Sequence, residues 1–120
     1  MSGWLSEDAT QWAGRPVART AAAAHPRERV HLCATVMAVR SRQAGAANGP
    51  LAGSTHGAVV EATVNDGTAT LTLRWLGRAE IPGMVPGAVV EVEGTLASIW
   101  GQRIVLNPLY RFLRGPVAPG

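Results

Sequence analysis

The chain has 120 residues, 47% of them hydrophobic, which is enough for one domain with a single core. Its formal net charge of +3 permits an anionic partner without requiring one. It contains no apolar run of the roughly 18–20 residues that a membrane helix needs, no visible secretory leader, and a single cysteine, which excludes an internal disulfide. We therefore expect a cytoplasmic protein.

The basic residues of this chain are all arginines, 11 in number, and lysine is absent. One explanation is a coding bias, because arginine and alanine codons are GC-rich. The other is that guanidinium groups are used to grip phosphate in a bidentate manner and to stack on bases. Composition alone leaves both explanations open.

The first 29 residues differ from the rest and predict a short helix and a tether. Ser6 could cap the helix, with Glu7 and Asp8 in its first turn. The alanines at 21–24 could form a second helical turn, and prolines bound both pieces. A disordered arm is the alternative interpretation.

The first predicted strand runs from Val30 to Arg42 and is apolar on both faces. Alternation places Val30, Leu32, Ala34, Val36 and Ala38 on one side. A strand of this kind is typical of the long, bent first strand of a barrel, which serves two parts of the sheet. A loop rich in small residues, Gln43–Gly57, follows it.

A hairpin follows, with strands Ala58–Val64 and Ala69–Leu76 joined by Asn-Asp-Gly-Thr, a strong turn signal. Alternation predicts a core set and a solvent set on each strand. The core set is Val60, Ala62, Val64, Ala69, Leu71, Leu73 and Trp75. The solvent set includes Glu61, Thr63, Thr70, Thr72 and Arg74.

Prolines and glycines interrupt the stretch Gly77–Gly87 and argue against a full helix there. Two further strands are predicted at Val89–Ala97 and Ile104–Leu109, with a turn at Gly101. The expected fold is all-β: a five-stranded Greek-key barrel over residues 30–113, with a short N-terminal helix and a tail at 114–120. Small barrels of this kind often bind oligonucleotides or sugars.

Five arginines lie where the loops and the exposed hairpin of such a barrel would meet. They could line one groove and follow a phosphate backbone, or they could be scattered, solvated charges. They are Arg40, Arg42, Arg74, Arg78 and Arg103.

Trp100 is the candidate stacking residue, because it sits beside Gly101 in a predicted turn with little core to fill. Packing on a neighbouring loop or on the N-terminal segment is the alternative. Trp75 shares the parity of Leu71 and Leu73, so we expect it in the core or at its rim.

Signals for catalysis or metal binding are weak, and we expect neither an enzyme nor a cofactor. The three histidines are far apart in sequence, and none has metal-ligand spacing with Cys33. We expect Cys33 to be a small, buried hydrophobic residue. Glu61, Glu91 and Glu93 are read as outward strand carboxylates that aid solubility.

The run WLGRAEIPGMVPG, from Trp75 to Gly87, resembles a family of small actinobacterial OB-fold nucleic-acid-binding-domain proteins. More distantly, the chain is similar to anticodon-binding OB domains and to the wedge domain of RecG-type DNA helicases. The match covers about residues 30–112. The other positions that carry it are Asp66-Gly67-Thr68, Leu71, Leu73, Gly94, Gly101, Asn107-Pro108 and Tyr110.

The resemblance implies an OB barrel that binds nucleic acid without catalysis. Arg78 is the matching residue with chemistry to offer, either as a phosphate ligand or as a cap on backbone carbonyls. Our expectation is a non-enzymatic protein that binds single-stranded DNA, in preference to RNA, with weak sequence selectivity. The rival expectation is a protein-interaction module whose N-terminal segment, with Trp4 and Trp12, contacts a partner.

Overall fold

The computed structural model of the protein describes residues 17–43 and 57–114, which form seven β-strands and no helix. The strands are β1 (Val17–Ala18), β2 (Arg29–Gln43), β3 (Ala58–Asn65), β4 (Thr70–Leu76), β5 (Val89–Ile99), β6 (Gln102–Leu106) and β7 (Leu109–Arg114). Within these two ranges there is accordingly no helix that could cross a membrane.

Five of the strands close into a ring in the order β2-β3-β4-β6-β5, and β5 pairs again with β2. The contact between β4 and β6 is parallel, and the other four contacts are antiparallel. This is the order of an OB-type Greek-key barrel, so the expected all-β ring is present. The five predicted strands correspond to β2 through β6.

The predicted count of five strands is wrong for the whole sheet, because β1 and β7 add to the ring. β1 pairs in parallel with the start of β2, and β7 pairs with β5. The last strand, predicted from Ile104 to Leu109, is broken at Asn107, which has a φ of 48°, and Pro108. β6 then closes the ring against β4, whereas β7 continues along β5 beyond it.

β2 serves two neighbours because a β-bulge interrupts it at Met37. Its first half pairs with β5 and its second half with β3, and the register to β3 skips from Val36 to Ala38. The extra residue exchanges the two faces of the strand. Ala38 is therefore exposed, although alternation predicted it inside, and Val39 packs against the core instead.

The core fills the ring with the inward set that alternation predicted. Its fully buried side chains include Val60 and Leu73 from the hairpin, and Val90, Val92 and Leu96 from β5. The strict two-residue period of β3, β4 and β5 is what places one apolar face of each strand inside.

One end of the barrel is covered by residues 20–24, where a second helical turn was predicted. The segment forms a hydrogen-bonded turn rather than a helix, with Ala24 N–H donating to Ala21 O at 3.3 Å, and both alanines are buried. Asp66, in the turn between β3 and β4, accepts a 2.7 Å bond from Ala21 N–H. The helix predicted from Ser6 lies outside the described residues.

The other end is closed by β7 and by the loop between β4 and β5, which contains turns and no helix, as predicted. Ile81 and Met84 of this loop are buried in the core. The ring of Tyr110 packs edge to face against those of Trp75 and Phe112, with ring centroids 5.4 and 5.7 Å apart, respectively. Among the described residues, these side chains fill this end of the barrel.

Asp66 should make the stability of the fold depend on acidity. Burial opposes ionisation of its carboxylate, but the Thr68 hydroxyl and the N–H groups of Ala21, Thr68 and Ala69 donate to it and lower its pKa to about 2. A lowered folded-state pKa stabilises the native state above the ordinary value of 3.8, and this contribution is lost as the pH falls toward 2. We expect Asp66→Asn to lower the free energy of unfolding at neutral pH and to flatten its decline across that interval. Urea titrations of both proteins at a series of pH values check this, and parallel curves would contradict it.

Gly94 should not tolerate a side chain. A Cβ there would lie 2.5 Å from Cγ1 of the fully buried Val105. We expect Gly94→Ala to lower the free energy of unfolding by about 1–3 kcal/mol, the cost of overpacking a core. Thr95→Ala, at the exposed neighbouring position, is the control and should change it by about 0.5 kcal/mol or less. Equal losses in the two variants would contradict the packing argument.

Candidate nucleic-acid interface

Three of the predicted site arginines meet on the outer face of β2, β3 and β4. The strand register places Arg40 beside Glu61, and Glu61 beside Arg74, in one row across the three strands. Arg42 follows two residues after Arg40 on the same face. We call these three arginines and Glu61 the arginine cluster.

Glu61 anchors the arginine cluster, and the three guanidinium groups contact it unequally. Arg74 Nε donates to Glu61 Oε2 at 2.6 Å, and the Arg74 side chain is only 17% exposed. Arg40 and Arg42 reach the same carboxylate at 3.5 and 3.4 Å, at the limit of a hydrogen bond, and are 77% and 59% exposed. One guanidinium is therefore fixed, and two stand largely in solvent.

The expectation that Glu61 is a solvated, solubilising carboxylate is wrong. Its side chain is 8% exposed, because the three arginines cover it. A buried carboxylate is stable only when it is paired and hydrogen-bonded, as Glu61 is here. Three cations around one anion leave an excess of positive charge on this face of the barrel, which suits an anionic ligand.

Apolar side chains border the arginine cluster on the side of β6, and neither was predicted as part of the site. Leu106 lies in register with Arg74 and is 39% exposed, and Leu76 follows Arg74 on the same face of β4 and is 52% exposed. Alternation along the predicted strand already puts Leu76 on the face of Arg74, but the position of Leu106 could not be inferred, because it depends on the pairing of β4 with β6.

Arg78 lies just beyond the end of β4, on the same end of the barrel as Arg42. Its side chain is exposed, and within residues 17–43 and 57–114 it makes no hydrogen bond or ion pair. The predicted alternative, a cap on backbone carbonyls, therefore has no contact to support it in the described part of the chain. A groove of about 230 Å³, lined by Ser41, Arg42, Ala58 and Ala79, borders this region.

Trp100 lies at the opposite end of the barrel, in the two-residue loop between β5 and β6. It is 99% exposed, so it packs on neither a loop nor the core. Trp100 and Gly101 both have positive φ, 53° and 79°, between the paired residues Ile99 and Gln102. This is the form of a type I′ turn, which favours Asn or Gly over a bulky residue. A strained, solvated tryptophan is a candidate contact for a ligand.

Arg103 is not brought together with the arginine cluster. Its Nη2 donates to the carbonyl oxygens of Ala21 and Ala24, so the guanidinium holds the turn that covers the barrel end. The side chain is half-buried there. The predicted groove thus contains Arg40, Arg42, Arg74 and, at its end, Arg78, whereas Arg103 stabilises the fold.

Glu91 and Glu93 repeat the arrangement of Glu61 on another face, formed by the first half of β2, β5 and β7. They too were predicted to be solvated, and they are buried. Glu91 accepts bonds from Arg111 Nε at 2.7 Å and from His31 Nε2 at 2.6 Å, and Glu93 pairs with Arg29 at 3.4 Å. Burial alone would raise the pKa of Glu91, but the bonds from His31 and Arg111 lower it below its ordinary value.

Cys33 lies on that second face and is exposed, so the prediction of a buried cysteine is wrong. A groove of about 510 Å³ runs beside it, past Met37 and Asp66 to Arg114. Although this groove is the larger one, the carboxylate of Asp66 is already bonded to backbone groups. We therefore place the candidate interface at the arginine cluster. Within the described ranges, no group of His, Cys, Asp and Glu side chains could hold a metal ion.

Comparison with known proteins relates the chain to others by fold. No family model and no curated protein sequence matches it, so membership of the small actinobacterial family stays a prediction. Similar solved structures include the p204 HINb domain, with 12% identity and a TM-score of 0.55 over 76% of this chain and 42% of that one. A putative aspartyl-tRNA synthetase from Leishmania major Friedlin has 10% identity and a TM-score of 0.55, over 86% of this chain and 21% of that one.

A third similar structure is a replication protein A heterotrimer bound to ssDNA, with 25% identity and a TM-score of 0.47. The match covers 76% of this chain and 58% of that one. The chain thus spans less than two thirds of each of these three proteins. At such identities, the HINb domain and the synthetase show a shared fold.

Replacing Trp100 should stabilise the protein, because tryptophan is a poor residue for its backbone conformation. Asparagine tolerates positive φ, so we expect Trp100→Asn to raise the free energy of unfolding by about 0.5–1 kcal/mol in urea titrations. Trp100→Ala removes the ring but keeps the strain, and should give no such gain. An equal gain in both variants would mean that the ring itself, not the turn, is destabilising.

Proposed function

We propose that this protein is a non-enzymatic, cytoplasmic nucleic-acid-binding protein whose ligand is single-stranded DNA, bound with weak sequence selectivity. The observation that carries the proposal is the arginine cluster, in which Arg40 and Arg42 extend into solvent on the open face of the sheet. In small barrels of this type, that face and the flanking loops are the usual oligonucleotide surface.

Arginine suits phosphate because its planar guanidinium offers several donors in a fixed fork. Arg40 and Arg42 stand two residues apart on one strand face, and Arg78 lies at the same end of the barrel. A chain of phosphates crossing β2 could meet these groups in succession. Contacts of this kind carry no sequence information, which is why we propose weak selectivity.

A single strand fits this surface better than a duplex, because the surface also offers partners for unpaired bases. Leu76 and Leu106 present apolar area beside Arg74, and Trp100, in a loop at the opposite end of the barrel, presents a fully exposed ring. Bases stack on aromatic side chains whatever their identity, and they are free to do so when they are unpaired. In a duplex the same faces are stacked on neighbouring base pairs.

A protein-interaction module is the second candidate, and the geometry of β7 favours it. In the described part of the chain β7 pairs with β5 alone, which leaves its other edge open to an added strand. Leu109, which is 48% exposed, lies on the face of β7 that also carries Arg111, and Leu113, equally exposed, lies at a register shift between β7 and β5. The predicted contact through Trp4 and Trp12 lies outside the described residues.

Removing the two exposed guanidinium groups tests the proposal. We expect Arg40→Gln together with Arg42→Gln to weaken binding of a labelled single-stranded DNA oligonucleotide at least tenfold at low salt. Two lost phosphate contacts should also reduce the slope of log K against log salt by about 1.4. Fluorescence anisotropy at several salt concentrations measures both quantities.

The matched control is Arg27→Gln together with Arg114→Gln, which removes the same charge from exposed side chains outside the arginine cluster. This control should keep most of the affinity. Equal losses in the two double variants would reduce the effect to net charge and remove the arginine cluster as the site. If the natural protein binds no strand even at low salt, the second candidate function is favoured.

A further inference from the structure

Glu61 places a negative charge in the middle of a surface that is proposed to bind an anion. The carboxylate is buried under the arginine cluster, with 8% of its side chain exposed. Its neighbours across both strands are arginines, and no other acidic residue shares this row of the sheet. Any phosphate that binds here must compete with it.

The Glu61 carboxylate is bonded closely to Arg74 and only weakly to Arg40 and Arg42. The bond from Arg74 is short, at 2.6 Å, and shielded from solvent. The contacts from Arg40 and Arg42 are long, at 3.5 and 3.4 Å, and their side chains are mostly in solvent. Exposed pairs of this kind are individually weak and can exchange partners without moving the backbone.

We propose that Glu61 is an internal competitor for the ligand: in the free protein it occupies Arg40 and Arg42, and a bound phosphate chain takes their place while Arg74 stays on the carboxylate. This inference rests on the proposed function and deepens it. The competition lowers the affinity of the arginine cluster for any phosphate. The affinity for a single phosphate is then low, and a polyanionic chain binds because it gains further contacts at Arg78 and Leu76. Glu61 thereby makes the site prefer a nucleic-acid strand over a single phosphate.

Glu61→Gln tests whether the Glu61 charge competes with phosphate, because it removes that charge without removing the acceptor that holds Arg74 in place. The amide oxygen can still accept the bond from Arg74 Nε, so Arg74 keeps its place, but the charge that competes with phosphate is gone. We expect the variant to bind single-stranded DNA about three- to tenfold more tightly, which lies within the range expected for the loss of two weak, solvent-facing ion pairs. Most of the gain should appear as slower dissociation.

The matched control is Glu93→Gln, which makes the same change to a buried, arginine-paired carboxylate on the face formed by β2, β5 and β7. It raises the net charge equally but does not touch the arginine cluster. The three proteins are compared by anisotropy with a labelled single-stranded oligonucleotide, and by competition with inorganic phosphate. Phosphate should become a measurable competitor for the Glu61→Gln protein and remain ineffective for the other two.

Unchanged or weaker binding by the Glu61→Gln protein, while the natural protein binds the strand, overturns the inference and leaves the proposed function in place. An equal gain in the Glu93→Gln protein also overturns it, because net charge then explains the effect. Binding by none of the three proteins overturns the proposed function, and this inference with it.

Should Glu61→Gln fail to fold, the double change Glu61→Met and Arg74→Met keeps the natural net charge, replaces the buried pair by apolar side chains and also frees Arg40 and Arg42. Tighter binding of the strand than by the natural protein is expected, and weaker or equal binding overturns the inference.

Discussion

The bulge at Met37 is the constraint on which the rest of the structure depends. It lets one strand pair with β5 along its first half and with β3 along its second, which is how five strands close into a ring. It also reverses the faces of β2. With uninterrupted alternation, Arg40 and Arg42 would share the inward side of Val36, and the barrel could not hold them. The same extra residue closes the core and turns the arginines outward.

Much of the ring could be read from the sequence, because β3, β4 and β5 alternate strictly and are separated by strong turn signals. The inward positions of Val60, Leu73 and Val92 follow directly from that period. The bent character of β2 was visible in its two apolar faces, but the position of its bulge was not. The residue pattern does not show where a single extra residue enters a strand. That bulge placed Ala38 outside the core and Val39 against it.

The contacts of the arginine cluster could not be predicted from residue types, since they depend on register across three strands. By alternation alone, Glu61 is predicted to be a solvent-facing strand carboxylate. The strand pairing places Arg40 and Arg74 on either side of it. The same holds for Glu91, whose partners come from β2 and β7. Parity correctly placed each carboxylate outside the core, and cross-strand arginines, long enough to cover a neighbour, buried it there.

The pairing of β2 with β5 has a consequence for how the chain folds. Val30 lies opposite Gly94, and β6 joins β4 to β5, so the ring cannot close until the polypeptide has been made through β6, whereas the β3–β4 hairpin can form locally much earlier. During synthesis, the apolar inner face of that hairpin therefore stays exposed until the strands that cover it have been made. Folding should be limited by this late, long-range closure, and the interval before it is when the nascent chain is most exposed to aggregation.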